Sequence, residues 1–293
     1  MSFLQMLIIA IVQGISEFLP ISSSGHLILI QYATDYADQG PLIDVAAHVG
    51  SLLAIIAYFF RDSWGLVRGG FATIGIGKAP AERRLFWWIV IGTIPAAGFG
   101  LFLKMGDYLE SFRFAELIAI NLIVYGILLG LADRYGASTK TYEDMTLRDG
   151  VIVGLAQALA LIPGTSRSGV TMTAARFLGF GRVEAARFSF LLSIPAVAGA
   201  GVLIVPDILE AGGGLVTEAL IVGGLTFLAA FVTMAFLMQF LKRASMLVFV
   251  IYRVALGILL LVLLNLGTIE SAQEPLPEPV PVPDSSFDNA RLE

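Results

Sequence analysis

The sequence predicts an all-α polytopic membrane protein with six transmembrane helices and two re-entrant helical hairpins arranged as an inverted repeat. Three observations carry that expectation. Of 293 residues, 57% are hydrophobic and 14% charged, with a mean hydropathy of +0.85, which is too little charge to cover a water-soluble domain. Six apolar runs are long enough to cross a hydrocarbon core of about 30 Å, which takes roughly 17 to 25 helical residues. Two further apolar runs are broken at their centres by clusters of Pro, Gly and Ser.

The first element is one of these broken runs, Phe3 to Ile30, interrupted by Pro20-Ile-Ser-Ser-Ser-Gly25. It reads as helix, turn and helix, since such clusters end one helix and start another. Irregular backbone at membrane depth survives only where protein or a wet cavity satisfies its polar groups. Spans follow at Ile43 to Phe60, Leu85 to Leu103 and Phe114 to Ala132. The second broken run, Val151 to Leu178, turns at Pro163-Gly-Thr-Ser-Arg-Ser-Gly169. Spans at Ala186 to Val205, Ala219 to Leu241 and Met246 to Leu266 complete the set.

Charge orients the elements. If both broken runs return to the face they entered, the Lys and Arg residues of the loops at 61–84, 134–148, 182–187 and 242–243 share one face. Lys104, Arg113 and Arg291 are left for the other. That asymmetry satisfies the positive-inside rule, whereas a fully spanning second run would place the loop at 206–217, which has no Lys or Arg, in the cytoplasm. A hairpin followed by three spans inverts the second half, so repeats cover about 1–132 and 150–266 of one membrane domain, 1–270, and the tips meet near the midplane. With the basic face cytoplasmic, the first hairpin enters from outside and the site opens outward. The Pro- and acid-rich tail at 271–293 is expected to be disordered. Met1 to Ala10 lacks the marks of a signal peptide and is expected to stay as structure. The net charge of -5 is not gathered into a basic surface, so nucleic acid is not an expected partner. Zero cysteines exclude disulfides, thiolate catalysis and Cys-ligated metals.

The chemistry gathers at the two breaks. Gln13 and Glu17 share a helix face one turn before Pro20, and an intramembrane carboxylate is a functional residue by default. Ser22, Ser23, Ser24 and Gly25 lead into a second short helix carrying His26, so hydroxyls and free N–H groups collect at a helix N-terminus, which attracts anions. The same hydroxyls also serve as ordinary caps. His26 can act as general acid, base or nucleophile. At the second break Thr165, Ser166, Arg167 and Ser168 precede Gly169 and Thr171. A guanidinium keeps its charge when buried and grips two phosphate oxygens with a planar fork, so Arg167 among hydroxyls forms an anion cradle. An Arg167–Glu17 ion pair is compatible with that cradle at rest. Asp44 and His48, spaced i, i+4 on the next span, suit a structural or gating role as well as a catalytic one. Asn121, Gln157 and Arg253 read as interhelical hydrogen-bond partners. Gly154, Gly199, Gly201, Gly223 and Gly224 read as sites of close helix approach, and Trp87 and Trp88 as an interfacial belt.

The two motifs, Gln13-Gly-Ile-Ser-Glu-Phe-Leu-Pro-Ile-Ser-Ser-Ser-Gly-His26 and Pro163-Gly-Thr-Ser-Arg-Ser-Gly169, resemble those of the undecaprenyl-diphosphate phosphatase family of the bacitracin-resistance type. The likeness runs from the start of the chain to about Leu266 and includes the Gly92-Thr-Ile-Pro-Ala run. It implies hydrolysis of undecaprenyl diphosphate to the monophosphate and inorganic phosphate, in a bacterial inner membrane, recycling the lipid carrier for peptidoglycan synthesis. It also implies a divalent cation (Mg²⁺ or Ca²⁺), a polyprenyl diphosphate substrate and a homodimer. By the same resemblance Glu17 serves metal binding or acid/base chemistry, His26 and Ser23 sit at the reaction centre, and Arg167, Ser166 and Thr171 bind the diphosphate. The family often has a second Glu where this chain has Gln13. The attacking group is Ser23, His26 or water, with Ser23 favoured and His26 as its base. The alternative is a lipid flippase or secondary transporter, which also uses inverted repeats with broken helices.

Overall fold

The computed structural model describes residues 1–23, 25–26, 29–30, 40–106, 112, 114–210 and 213–269; the expected disordered tail lies outside the described residues. Among these, ten α-helices account for the architecture: α1 Phe3–Ser16, α2 Pro41–Tyr58, α3 Phe60–Thr73, α4 Pro80–Met105, α5 Ala115–Tyr135, α6 Leu147–Leu159, α7 Arg167–Phe177, α8 Arg182–Glu210, α9 Gly213–Leu241 and α10 Leu247–Asn265. By length and composition α4, α5, α9 and α10 can each cross a membrane, and α2 with α3 adds a fifth candidate bent by 91°. The sixth expected span, Ala186 to Val205, lies inside α8, whose 29 residues reach roughly 43 Å at 1.5 Å per residue.

Both broken runs turn back. The base of the second is fixed where Lys140 accepts from Gly181 N and donates to Gly179 O (3.0 Å), while its Nζ holds Asp149 in the first turn of α6 at 3.0 Å. Entry and exit therefore share a face. On that face Asp133, near the end of α5, accepts from Arg182 Nε and Nη2 (2.6 and 3.0 Å) and from the Met246 N–H (3.0 Å). The tip docks far from this base: Asn121 Nδ2 donates to Pro163 O at 2.8 Å, and a Cβ on Gly164 would meet Ile118 O at 2.5 Å. From Asn121 to Gly136, where Arg176 of α7 is bonded, α5 rises roughly 22 Å. The second hairpin thus reaches past the middle of a core about 30 Å thick.

The first hairpin enters from the opposite face. Met1 N is paired with Glu218 near the start of α9. Leu29, in the returning segment, packs on the cluster containing Leu260 and Ile269 at the end of α10. These are the ends of α9 and α10 opposite to Asp133. The halves even share a backbone irregularity, because Ser22 (φ 70) and Ser166 (φ 69) are the only non-glycine residues with positive φ among the described residues. Each such residue costs on the order of 1–3 kcal/mol and persists where its surroundings fix it.

Helix approach depends on glycine at particular crossings. A Cβ on Gly154 would lie 2.6 Å from Gly92 O and 2.7 Å from Gly92 Cα, so α6 and α4 meet backbone to backbone. Gly154→Leu is expected to destabilise by about 1–3 kcal/mol or more through overpacking, read as a lower unfolding temperature in detergent. Gly201 and Gly223 also face close neighbours, but a Cβ on Gly199 or Gly224 meets nothing within 4 Å. Those two are therefore not approach sites among the described residues.

Two expected loops are helical. The stretch after Phe60 forms α3, which buries Gly65, Gly69 and Ala72 and exposes Phe60, Trp64, Val67 and Phe71. With Arg61 and Arg68 on the same helix, this is an amphipathic segment suited to the membrane interface. The expected loop at 206–217 is shortened, since α8 runs to Glu210 and α9 begins at Gly213. Trp87 is 41% exposed near the start of α4, and Trp88 is packed against the core.

Candidate active site

The helix break after Ser16 leaves Glu17 as the C-cap of α1, with its N–H still bonded to Gln13 O. Its side chain is therefore held at the tip of the first hairpin. Ser166 caps α7, accepting from Gly169 N at 3.2 Å, and this starts the helix at Arg167. The inverted hairpins bring the two together: an Arg167 guanidinium nitrogen is paired with Glu17 Oε1. Among the described residues Arg167 Nη1 has no hydrogen-bond partner. A fixed cation with an unused donor beside a helix N-terminus is a receptor for an oxyanion.

The pair lines a cavity of about 420 Å³. Ser16, Ser22 and Ser23 contribute from the first hairpin and Gln157, Gly164 and Ser166 from the second. Asp44 and His48 of α2 form another wall, and Ala96 of α4 with Ala196 of α8 complete it. The cavity lies toward the start of α2, on the side from which the first hairpin enters.

Gln13 is buried behind the carboxylate, and its Nε2 donates to Glu17 Oε2 at 3.0 Å and contacts His48 Nε2 at 3.2 Å. Among the described residues no group of three His, Cys, Asp or Glu side chains is placed to hold a metal ion. The donors that do converge are one carboxylate oxygen, one amide and one imidazole nitrogen. Both acceptors already bind the same partially positive amide N–H₂, so the chemistry of this donor set is compatible with a divalent cation.

Several expected site residues do not reach the cavity. His26 Nδ1 bonds Ser22 O at 2.7 Å and Nε2 meets Tyr252 Oη at 2.6 Å, with the two rings stacked. Both ring nitrogens are thus committed away from Ser23, and the expected Ser23–His26 nucleophile and base pair is not assembled. Thr171 Oγ1 turns back to Arg167 O at 2.7 Å and meets Ser189 Oγ at 2.6 Å. It braces the first turn of α7 and is not among the residues that line the cavity. Ser168 Oγ donates to Leu19 O at 3.2 Å, joining the tips. Gly169 faces Arg253 and Gly25 faces Leu122. Thr165 is buried outside the cavity wall, its Oγ1 unpartnered among the described residues, and Ser24 lies outside the described residues.

Sequence reasoning underrated two residues. Gln157, assigned only to helix pairing, does donate to Gly92 O at 3.3 Å, but it also lines the cavity, and among the described residues its Oε1 is unpartnered. His48 replaces His26 as the cavity histidine; the Asp44/His48 spacing was the available signal.

Residues 6–259 match the family described as bacitracin resistance protein BacA. Curated relatives carry the name undecaprenyl-diphosphatase. The protein of that name from Erythrobacter litoralis (strain HTCC2594) is 69% identical, the match covering 89% of this chain and 99% of the relative. One from Chromohalobacter salexigens is 47% identical over 89% of this chain and 99% of its own. Undecaprenyl-diphosphatase 1 of Pseudoalteromonas translucida (strain TAC 125) is 44% identical over 91% and 100%.

Proposed function

The chain belongs to the bacitracin resistance protein BacA family, and from that membership we propose that it hydrolyses undecaprenyl diphosphate to undecaprenyl phosphate and inorganic phosphate. The observation that carries the reading is the cavity in which Arg167, its Nη1 unpartnered among the described residues, meets Glu17 at the N-terminus of α7. A long isoprenoid stays in lipid, so its diphosphate needs a polar pocket inside the membrane. Transfer of the terminal phosphoryl group requires mainly positioning and charge neutralisation. The relatives' names concern diphosphate hydrolysis, and nothing in the cavity favours the flippase or transporter alternative.

In this reading the diphosphate takes the Arg167 fork, and the N–H groups at the start of α7 support its oxygens. Glu17 Oε1 is thereby released and accepts the proton of the attacking hydroxyl. Ser23 lines the same cavity, which supports keeping it as the nucleophile, with Glu17 instead of His26 as proton acceptor. The new bond joins Ser23 Oγ to the terminal phosphorus while the bond to the bridging oxygen breaks, and that oxygen leaves with undecaprenyl phosphate, taking the proton from Glu17. A water then gives a proton to Glu17 and attacks the same phosphorus; Ser23 Oγ leaves with that proton, inorganic phosphate is released, and both residues are restored. Glu17 and Gln13 would hold a divalent cation, which supplies neutralisation of diphosphate charge when bound. The site opens to the outer face of the bacterial inner membrane, a reading supported by the cavity's position toward the first hairpin's entry. The resemblance to the family supports a homodimer as the functional unit.

The test is direct. Purified protein in detergent, with no compartments, is expected to release phosphate from a polyprenyl diphosphate; no release with Mg²⁺ or Ca²⁺ present would sink the reading. Glu17→Gln preserves shape but removes the charge and is expected to lower turnover about 10²-fold or more. An unchanged cation titration in that variant would exclude Glu17 as a ligand.

A further inference from the structure

Asp44 and His48 sit in the first half of α2, and the proposed hydrolysis uses neither. His48 lines the cavity beside Glu17. Its Nδ1 lies 2.8 Å from Asp44 O, and a carbonyl only accepts, so Nδ1 carries the ring proton. Nε2 is left with a lone pair, which takes an N–H from Gln13 at 3.2 Å. The same amide nitrogen donates to Glu17 Oε2 at 3.0 Å, while Glu17 Oε1 is occupied by Arg167. An imidazole lone pair and a carboxylate oxygen therefore converge on one donor and stand 3.8 Å apart.

This is the arrangement of a metal-binding histidine, in which one ring N–H is anchored to a carbonyl and the other nitrogen is aimed at the site. Ligands at about 2.0–2.2 Å from a first-row ion lie roughly 3.0–3.5 Å from each other. Closing the gap takes a few tenths of an ångström. Rotating the terminal amide of Gln13 presents Oε1 where Nε2 now stands and supplies a third donor. At His26 the corresponding Nε2 lone pair accepts from Tyr252 Oη, and neither residue lines the cavity.

We propose that His48 Nε2 is a third protein ligand of the divalent-cation site with Glu17 and Gln13, and that this nitrogen makes the site prefer Mn²⁺, Co²⁺ or Zn²⁺ to Mg²⁺ and Ca²⁺. The inference rests on the cation site of the proposed function and deepens it. Hard alkaline-earth ions are held by oxygen and by carboxylate charge. Here one carboxylate is shared with a guanidinium and Gln13 adds no charge. An imidazole favours first-row ions in the Irving–Williams order, so the substitution of one donor type decides the preference.

The experiment uses the full chain in detergent. Co²⁺ is titrated and its visible ligand-field absorption recorded, with Mn²⁺, Mg²⁺ and Ca²⁺ as competitors. Co²⁺ should bind with at least about a 10-fold advantage over Ca²⁺, and His48→Gln should erase that advantage by weakening Co²⁺ about 10- to 100-fold. In the unsubstituted protein, Zn²⁺ should shift the ¹⁵N resonance of Nε2 in one of the two histidines and leave the other unchanged, a readout independent of how the variant folds. Equal Co²⁺ affinity in both proteins, or no histidine shift with Zn²⁺, overturns the inference. Phosphate release from a polyprenyl diphosphate is scored separately with saturating Mg²⁺: release without His48-dependent metal binding defeats only the ligand assignment. Metal binding without release under any cation defeats the hydrolase reading and leaves the ligand assignment standing.

Discussion

Arg167→Lys is expected to lower kcat/KM for polyprenyl diphosphate about 10²-fold or more, the scale of losing a transition-state donor, while the protein still folds. The resting pair with Glu17 survives, since an ammonium keeps the charge. What disappears is the planar fork, in which one nitrogen holds Glu17 while Nη1 stays free for an oxyanion. Lysine is a point charge and grips phosphate oxygens one at a time. Alanine would be a poorer test, because stripping the partner from a buried carboxylate costs about 3–5 kcal/mol and confounds folding with catalysis. Single-turnover phosphate release, compared at matched elution profile and thermal stability, is the measurement. Near-normal turnover would mean that charge alone suffices and that the fork is not the phosphate receptor.

The depth of legibility differs between the two breaks and within each. That Glu17 and Arg167 meet was readable, because odd-span inversion forces opposed hairpins to bring their tips together, and each tip carries one ion. Which neighbours join them was not. The turn residues Ser22 and Ser166 take left-handed φ, and this sets how the following helix is rotated about its axis. His26, four residues after Ser22, then points back at the Ser22 carbonyl and out to Tyr252. Thr171 likewise falls back on Arg167 O. A motif read as a string makes every polar residue a candidate, whereas the rotation selects one face. His48 arrives from a different helix, so proximity along the chain could not reveal it. The amphipathic α3 was missed for another reason: basic residues at Arg61 and Arg68 satisfied the orientation rule equally well as loop or as interfacial helix.

Arg253→Leu is expected to be nearly as damaging as the loss of the phosphate receptor, although Arg253 is fully buried (0% exposed) and outside the cavity wall. Its guanidinium donates to Gly164 O and Thr165 O, both at 2.9 Å, and to Pro20 O at 3.3 Å, with Leu122 O and Asn121 O at 3.3 and 3.5 Å. One side chain of α10 thus ties both hairpin tips to α5. Each carbonyl stripped of its partner in a water-free interior costs about 1–3 kcal/mol. Because the tips carry Glu17 and Arg167, any loosening also misplaces the reacting groups, and a shift of about 1 Å can cost 10²-fold in rate. The expected pattern is a lowered unfolding temperature together with a fall in kcat that exceeds any rise in KM, partly restored in Arg253→Lys, which keeps three donors on the same carbonyls. A variant equally destabilised by Gly69→Leu serves as the comparison, since that crossing of α3 and α4, against Glu82 O, contributes nothing to the cavity wall or the tips. Should Arg253→Leu retain wild-type kcat/KM, the tips must be held by helix contact alone, and the carbonyl clasp would be a consequence of the fold and not a cause of the site's geometry.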